Sequence, residues 1–87
     1  MAVADDSLER LVNLGPTSAQ WLRDAGITSY DDLDELGAAR AYLAVHAMRP
    51  GVSLNLLYAL EGALLDVRWD YLPAEVRERL RREVGRA

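Results

Sequence analysis

Two groups of side chains in this 87-residue chain are spaced so that they could act on a partner. The first lies in Asn13 to Ile27, NLGPTSAQWLRDAGI, where a glycine-proline step leads into a short helix and an Ala-Gly-Ile exit. Gly15 is expected to supply a turn that residues with side chains resist, and Pro16 to take the first helical position, where its missing N–H costs nothing. The helix that follows starts with free N–H groups and the positive end of its dipole, which suits an anion such as a DNA phosphate. In that reading Asn13, Gly15, Pro16, Thr17 and Ser18 approach the phosphate, and Arg23, Arg77 and Arg81 add positive charge. An ordinary helix start needs the same geometry with no ligand at all. The second group suits a protein partner: the acids Asp31, Asp34 and Glu35, and the residues Asn55, Tyr58 and Glu61, whose helical spacing puts them in one polar seam. A solvated acidic face and an inter-helix hydrogen-bonded strip are the plainer accounts of these two sets.

Catalysis finds no residues to carry it. The chain has no cysteine and one histidine, His46, so neither a disulfide nor a zinc site can be assembled. No glycine-rich phosphate loop, serine-histidine pairing or metal-ligand spacing occurs, so no catalytic, cofactor or metal residue is assigned. The opening MAVADDSLERL lacks the basic start and apolar run of a secretion signal, and no apolar stretch reaches the roughly 20 residues that span a bilayer. A cytoplasmic protein with no membrane partner is expected. The net charge of −4 weighs against non-specific binding to nucleic acid, which relies on phosphates neutralised and counterions released. That charge is uneven: the first 48 residues hold three arginines and eight acids, the remainder seven and six. Every basic side chain is arginine, which fits planar recognition of phosphate or carboxylate and equally fits codon usage in a GC-rich genome.

The elements that must position these groups all read as helices within one small domain, residues 1–87, with a single core. Leu8, Leu11 and Val12 mark a short amphipathic helix capped by Asp5, Asp6 or Ser7 and ending at Asn13, a residue that accepts a left-handed backbone. The next helix, about Pro16 to Ala25, turns Ala19, Trp21 and Leu22 inward, and Gly26 closes it before Ile27 re-enters the core. Ser29 and Asp32 form a capping pair for a short helix ending at Gly37, and an alanine-rich helix follows from Ala38 to Met48, with His46 near its end. Ser53 then caps SLNLLYALEGALLDVRW, apolar on nearly every side and so expected as the central buried helix. Gly62 inside it implies a close approach by another element or a bend. Pro73 opens the last helix, with Tyr71 packed on Val76, a buried stripe at Val76, Leu80 and Val84, and Glu75–Arg79 and Glu78–Arg82 paired four apart. Arg77, Arg81 and Arg86 are left over as a basic surface. The sum is an all-α bundle of five to six short helices, helix-hairpin-helix or SAM-like, around a central buried helix.

In combination, the motifs NLGP-x-SAQWL-x-x-AGI and SLNLLYALEGAL resemble the C-terminal domain of the TfoX/Sxy family, over about Leu8 to Leu80. Asn13, Leu14, Gly15, Pro16, Ser18, Trp21 and Gly26 match the hairpin unit, and Asn55, Tyr58, Glu61 and Gly62 match the long-helix motif. The resemblance implies an all-helical fold and a role assisting transcription of competence genes, in the best-known members together with the cyclic-AMP receptor protein. It implies no catalytic role for either motif. The α/β N-terminal domain of full-length members has no counterpart in these residues, so the job of the C-terminal domain here is expected to differ or to need a separate N-terminal-type partner.

Two functions follow. One is a non-enzymatic interaction module that contacts a transcription regulator or a separate N-terminal-type domain. The other is weak nucleic-acid binding through the hairpin, in which hydroxyls at Thr17 and Ser18 stand where DNA-binding hairpins usually carry a cation. A homodimer through the apolar stretch Leu54 to Val67 is a further expectation.

Overall fold

The computed structural model describes residues 8–85, and all their regular structure is helical. Four α-helices, α1 (Pro16–Asp24), α2 (Tyr30–Met48), α3 (Leu54–Leu65) and α4 (Ala74–Glu83), alternate with 3-10 turns at Leu8–Arg10 and Trp69–Tyr71. The all-α expectation is met, with fewer helices than expected. The first expected helix is only the 3-10 turn, and its capping candidates Asp5, Asp6 and Ser7 lie outside the described residues. The two helices expected on either side of Gly37 are present as the two arms of α2, separated where Gly37 takes the non-helical φ 81°, ψ 162°.

Local chemistry explains where each helix starts and stops. Ser29 caps α2 by accepting from the Asp32 N–H at 3.1 Å, while the Asp32 carboxylate accepts from the Thr28 N–H at 3.0 Å and the Thr28 hydroxyl at 2.9 Å. The Ser29 half is the cap expected from the Ser-Asp spacing, while the Asp32 carboxylate reaches one residue further back, to Thr28. At the end of α1 the Gly26 N–H returns to the Arg23 carbonyl and Ile27 to Leu22, with Gly26 at φ 89°. Sequence reasoning overextended α3 to Trp69. The helix ends at Leu65 because Asp66 turns left-handed at φ 59° and the Val67 N–H bonds the Gly62 carbonyl at 2.8 Å. Pro73 is the cap of α4 and not its first residue. Tyr71, expected to pack on Val76, is 68% exposed under the Arg68 guanidinium, and its neighbour Leu72 is buried in its place.

α3 is the central helix, with Leu56 to Leu60, Gly62 and Ala63 all buried. It packs most extensively on α2, and α4 rests against both. Leu22 and Ile27 from the α1 hairpin, Leu33 and Tyr42 from α2, Leu57 and Leu60 from α3 and Leu80 from α4 close one apolar core with Leu8. Burying each such leucine contributes about 1.5–3 kcal/mol. The middle of the Leu54–Val67 stretch is therefore interior, while Leu65 at its end is 54% exposed.

One polar residue ties the beginning of the described chain to the far end of α3. Asn13 sits left-handed at φ 74°, as its type allows. Its amide nitrogen donates to the Val67 carbonyl at 2.9 Å and to the Ala59 carbonyl at 3.4 Å, and its amide oxygen accepts from the Trp69 N–H at 3.1 Å. The partners settle the orientation of the amide, since turning it over would set oxygen against two carbonyls. Gly62 makes the approach possible: a Cβ there would collide with the Asn13 amide nitrogen and the Val67 carbonyl. The close approach read from Gly62 in the sequence is thus to Asn13 and Val67.

Replacing Asn13 by Ala should lower stability by about 2–3 kcal/mol, since it leaves backbone groups unpaired and strains a left-handed position. Asn13→Gly, which keeps the backbone free, should cost about 1 kcal/mol less. Gly62→Ala should destabilise by about 1–3 kcal/mol despite alanine's higher helix propensity. The two sites should couple, with the cost of Gly62→Ala smaller in the Asn13→Gly background, in a double-mutant cycle read by urea unfolding. The Asp32 carboxyl is held below the usual carboxylate range, chiefly by the Thr28 backbone N–H and then by its hydroxyl. A depressed folded pKa stabilises above the unfolded value near 3.8 and is lost as pH falls through the folded one. Asp32→Asn should therefore melt below wild type at pH 7, and the two melting temperatures should converge as pH falls below 3.8; a gap that persists at low pH would contradict this cap.

Candidate functional site

The Asn13 clasp joins the segment before α1 to the exit of α3, and a groove of about 290 Å³ lies between the two helices. Asn13, Ser18 and Trp21 line it from the hairpin side, Asn55, Leu56 and Ala59 from α3, and Val52, Ser53 and Trp69 complete it. None of these side chains is charged. The aromatic walls have their own partners: the Arg49 guanidinium lies 5.0 Å from the Trp21 ring centre, and the Trp69 backbone is fixed by Asn13. Rigid indoles beside neutral amides and hydroxyls suit burial of an apolar side chain with hydrogen bonds to the backbone that carries it.

The candidates for phosphate contact are not gathered at one place. Asn13 spends its side chain on the Val67, Ala59 and Trp69 backbone. Gly15 caps α1 in an extended conformation, φ −121° and ψ −171°, that any residue adopts, so the expected need for glycine in the turn is not what the structure shows. A Cβ at Gly15 would meet open space. Pro16 and Thr17 are exposed at the start of α1, whose first N–H groups have no side-chain cap, and Ser18 reaches the groove. Arg23 is engaged by Glu9 at 2.6 Å. Arg81 donates to the Tyr58 hydroxyl at 2.9 Å, so it is not the unpaired base the spacing suggested. Arg77 lies on α4, which packs on α2 and α3, and Arg86 lies outside the described residues.

The protein-contact candidates divide as well. Tyr58, 8% exposed, and Glu61 face α4, where Arg81 and Arg79 meet them, the latter at 3.0 Å. They form an inter-helix strip. Arg79 also reaches Glu83 at 3.5 Å and not the expected Glu75. Asn55 points instead into the neutral groove. Asp31, Asp34 and Glu35 stay exposed on the first half of α2. Sequence reasoning missed Trp69, Val52 and Ser53 as lining, because Trp69 was read as the tail of a long helix; Asp66, a residue type that accepts the left-handed turn, was the signal for its earlier end. Among the described residues no group of His, Cys, Asp and Glu could hold a metal ion, and no helix is long and apolar enough to cross a membrane.

Two crystal structures of Listeria monocytogenes proteins of unknown function share this fold. A triclinic form is 34% identical with TM-score 0.82, covering 85% of this chain and 84% of that one. A tetragonal form is 33% identical with TM-score 0.83, covering 87% of this chain and 94% of that one. No curated protein matches. The model of the TfoX C-terminal domain matches residues 4–84, nearly the whole sequence and both motifs singled out above. The chain therefore belongs to the TfoX C-terminal domain family, which is linked to competence and DNA transformation.

Proposed function

We propose that the domain is a non-enzymatic, cytoplasmic interaction module that assists regulation of competence or DNA uptake through protein contacts. The partner is a transcription regulator or a separate TfoX N-terminal-type domain. The observation that carries this reading is the groove beside α1, which pairs two tryptophans with neutral polar lining groups and has at its edge the Arg49 guanidinium, spent on the Trp21 ring and 4.0 Å from Asp24. Arg23, Arg79 and Arg81 are already engaged within the fold, and the net charge of −4 repels a polyanion. Tryptophan is the side chain most enriched among residues that dominate protein interfaces.

Intrinsic fluorescence of Trp21 and Trp69 reports on the groove directly. On addition of a purified TfoX N-terminal-type domain the signal should change and saturate, and Trp69→Ala should weaken the interaction by roughly tenfold. Duplex and single-stranded DNA, titrated at roughly 50 and 200 mM salt, should give no salt-steep response. Micromolar DNA binding that falls steeply with salt and is lost in Gly15→Val, a change the open space around Gly15 admits, would overturn the protein-contact reading in favour of the hairpin as a phosphate site.

A further inference from the structure

We infer that a second copy of this chain docks on the face between α2 and α4, opposite in chemistry to the neutral groove beside α1. This face is a groove of about 510 Å³, with Leu36, Arg40 and Leu43 on its α2 wall and Arg79 and Glu83 on its α4 wall beside Glu61. Leu36 and Leu43 are 37% and 43% exposed, large apolar side chains that the monomer leaves in water. The kink at Gly37 separates them, so they rise from the two arms of α2 and form a ridge beside the groove and not a continuous helical stripe.

Charge selects the occupant. The α2 wall carries Arg40, which has no ion pair among the described residues. The α4 side carries two acids, Glu61 and Glu83, around the single Arg79. One wall is thus positive and the other negative on balance, and a two-fold axis sets each wall against its opposite in the second copy. Arg40 of each copy then faces Glu83 of the other. Glu83 is available for the exchange, because it is 47% exposed and its pair with Arg79 is long at 3.5 Å, while Arg79 keeps Glu61 at 3.0 Å. The Leu36–Leu43 ridge of each copy enters the groove of the other by the same operation. A nucleic acid would meet the acids of the α4 wall, and an acidic partner would satisfy Arg40 alone. A stable dimer buries about 800 Å² per subunit, roughly a sixth of the 5109 Å² surface, so the contact must extend past the groove along α2. Exposed Ala47, four residues on from Leu43, continues the outer side of α2 there with a small side chain that lets a second helix come close.

Sedimentation equilibrium of the full chain over roughly 10–500 μM tests this. The mass should rise with concentration from 9.7 kDa towards twice that value. Leu43→Glu should raise the dissociation constant by at least about tenfold while the helical circular dichroism and its melting stay unchanged. Arg40→Glu should weaken the dimer as well, and Arg40→Glu combined with Glu83→Arg in the same chain should restore it, a recovery that no merely structural effect of either change produces. A chain that stays monomeric at the highest concentration would overturn the inference. So would a dimer that ignores Leu43→Glu and is not recovered by the charge exchange, since it would use another face. Neither result bears on the groove between α1 and α3.

Discussion

The arrangement rests on the side-chain amide of Asn13. It satisfies two backbone groups, the Val67 carbonyl and the Trp69 N–H, at the point where α3 has ended and the chain turns away. Those groups follow a left-handed Asp66 and cannot be served by the helix itself. The amide carries one donor side and one acceptor side, and both are used, so an isosteric carboxylate would leave the Val67 carbonyl alone and an aliphatic side chain would leave both partners alone. Gly62 is the second half of the same constraint. A glycine inside a buried helix is costly in isolation, and here its missing Cβ is the space through which the amide reaches the backbone.

From that clasp the functional surface follows. Fastening the hairpin to the exit of α3 brings Ser18 and Trp21 opposite Asn55, Leu56 and Ala59, and it holds Trp69 at the same groove through its own N–H. Asn13, one of the candidates for phosphate contact in the sequence, is thereby turned into a structural tie. Three arginines are drawn off in the same way, Arg23 to Glu9, Arg81 to Tyr58 and Arg79 to Glu61. What remains next to the uncapped start of α1 is a groove lined by two indoles, amides and hydroxyls, with Arg49 against Trp21 at its edge. The family's link to competence and DNA transformation is compatible with a role that acts on DNA only through a protein partner.

Most of the fold was legible in the sequence because its determinants are local. The Ser29–Asp32 cap, the Gly26 exit, the break at Gly37 and the all-apolar character of α3 each depend on residues within a few positions of one another. The misreadings have a common origin in contacts between distant positions. Asn13 was recognised as left-handed from its type, yet its partners lie 46 to 56 residues away, and nothing in the local pattern names them. The end of α3 was misplaced for a related reason: Asp66 is not glycine, and the asparagine that rewards the turn lies far upstream. The seam of Asn55, Tyr58 and Glu61 has correct helical spacing, but α4 covers only two of its members, so one motif serves two unlike surfaces.

Native-state amide hydrogen exchange at Trp69 tests the clasp most directly. Its N–H lies in no helix ladder and is bonded by Asn13 alone, so the account predicts strong protection in the wild-type protein and its loss in Asn13→Gly, while the Leu60 amide inside α3 stays slow in both. A Trp69 amide that exchanges at the rate of an unstructured peptide in the wild type, with Leu60 still protected, would contradict it.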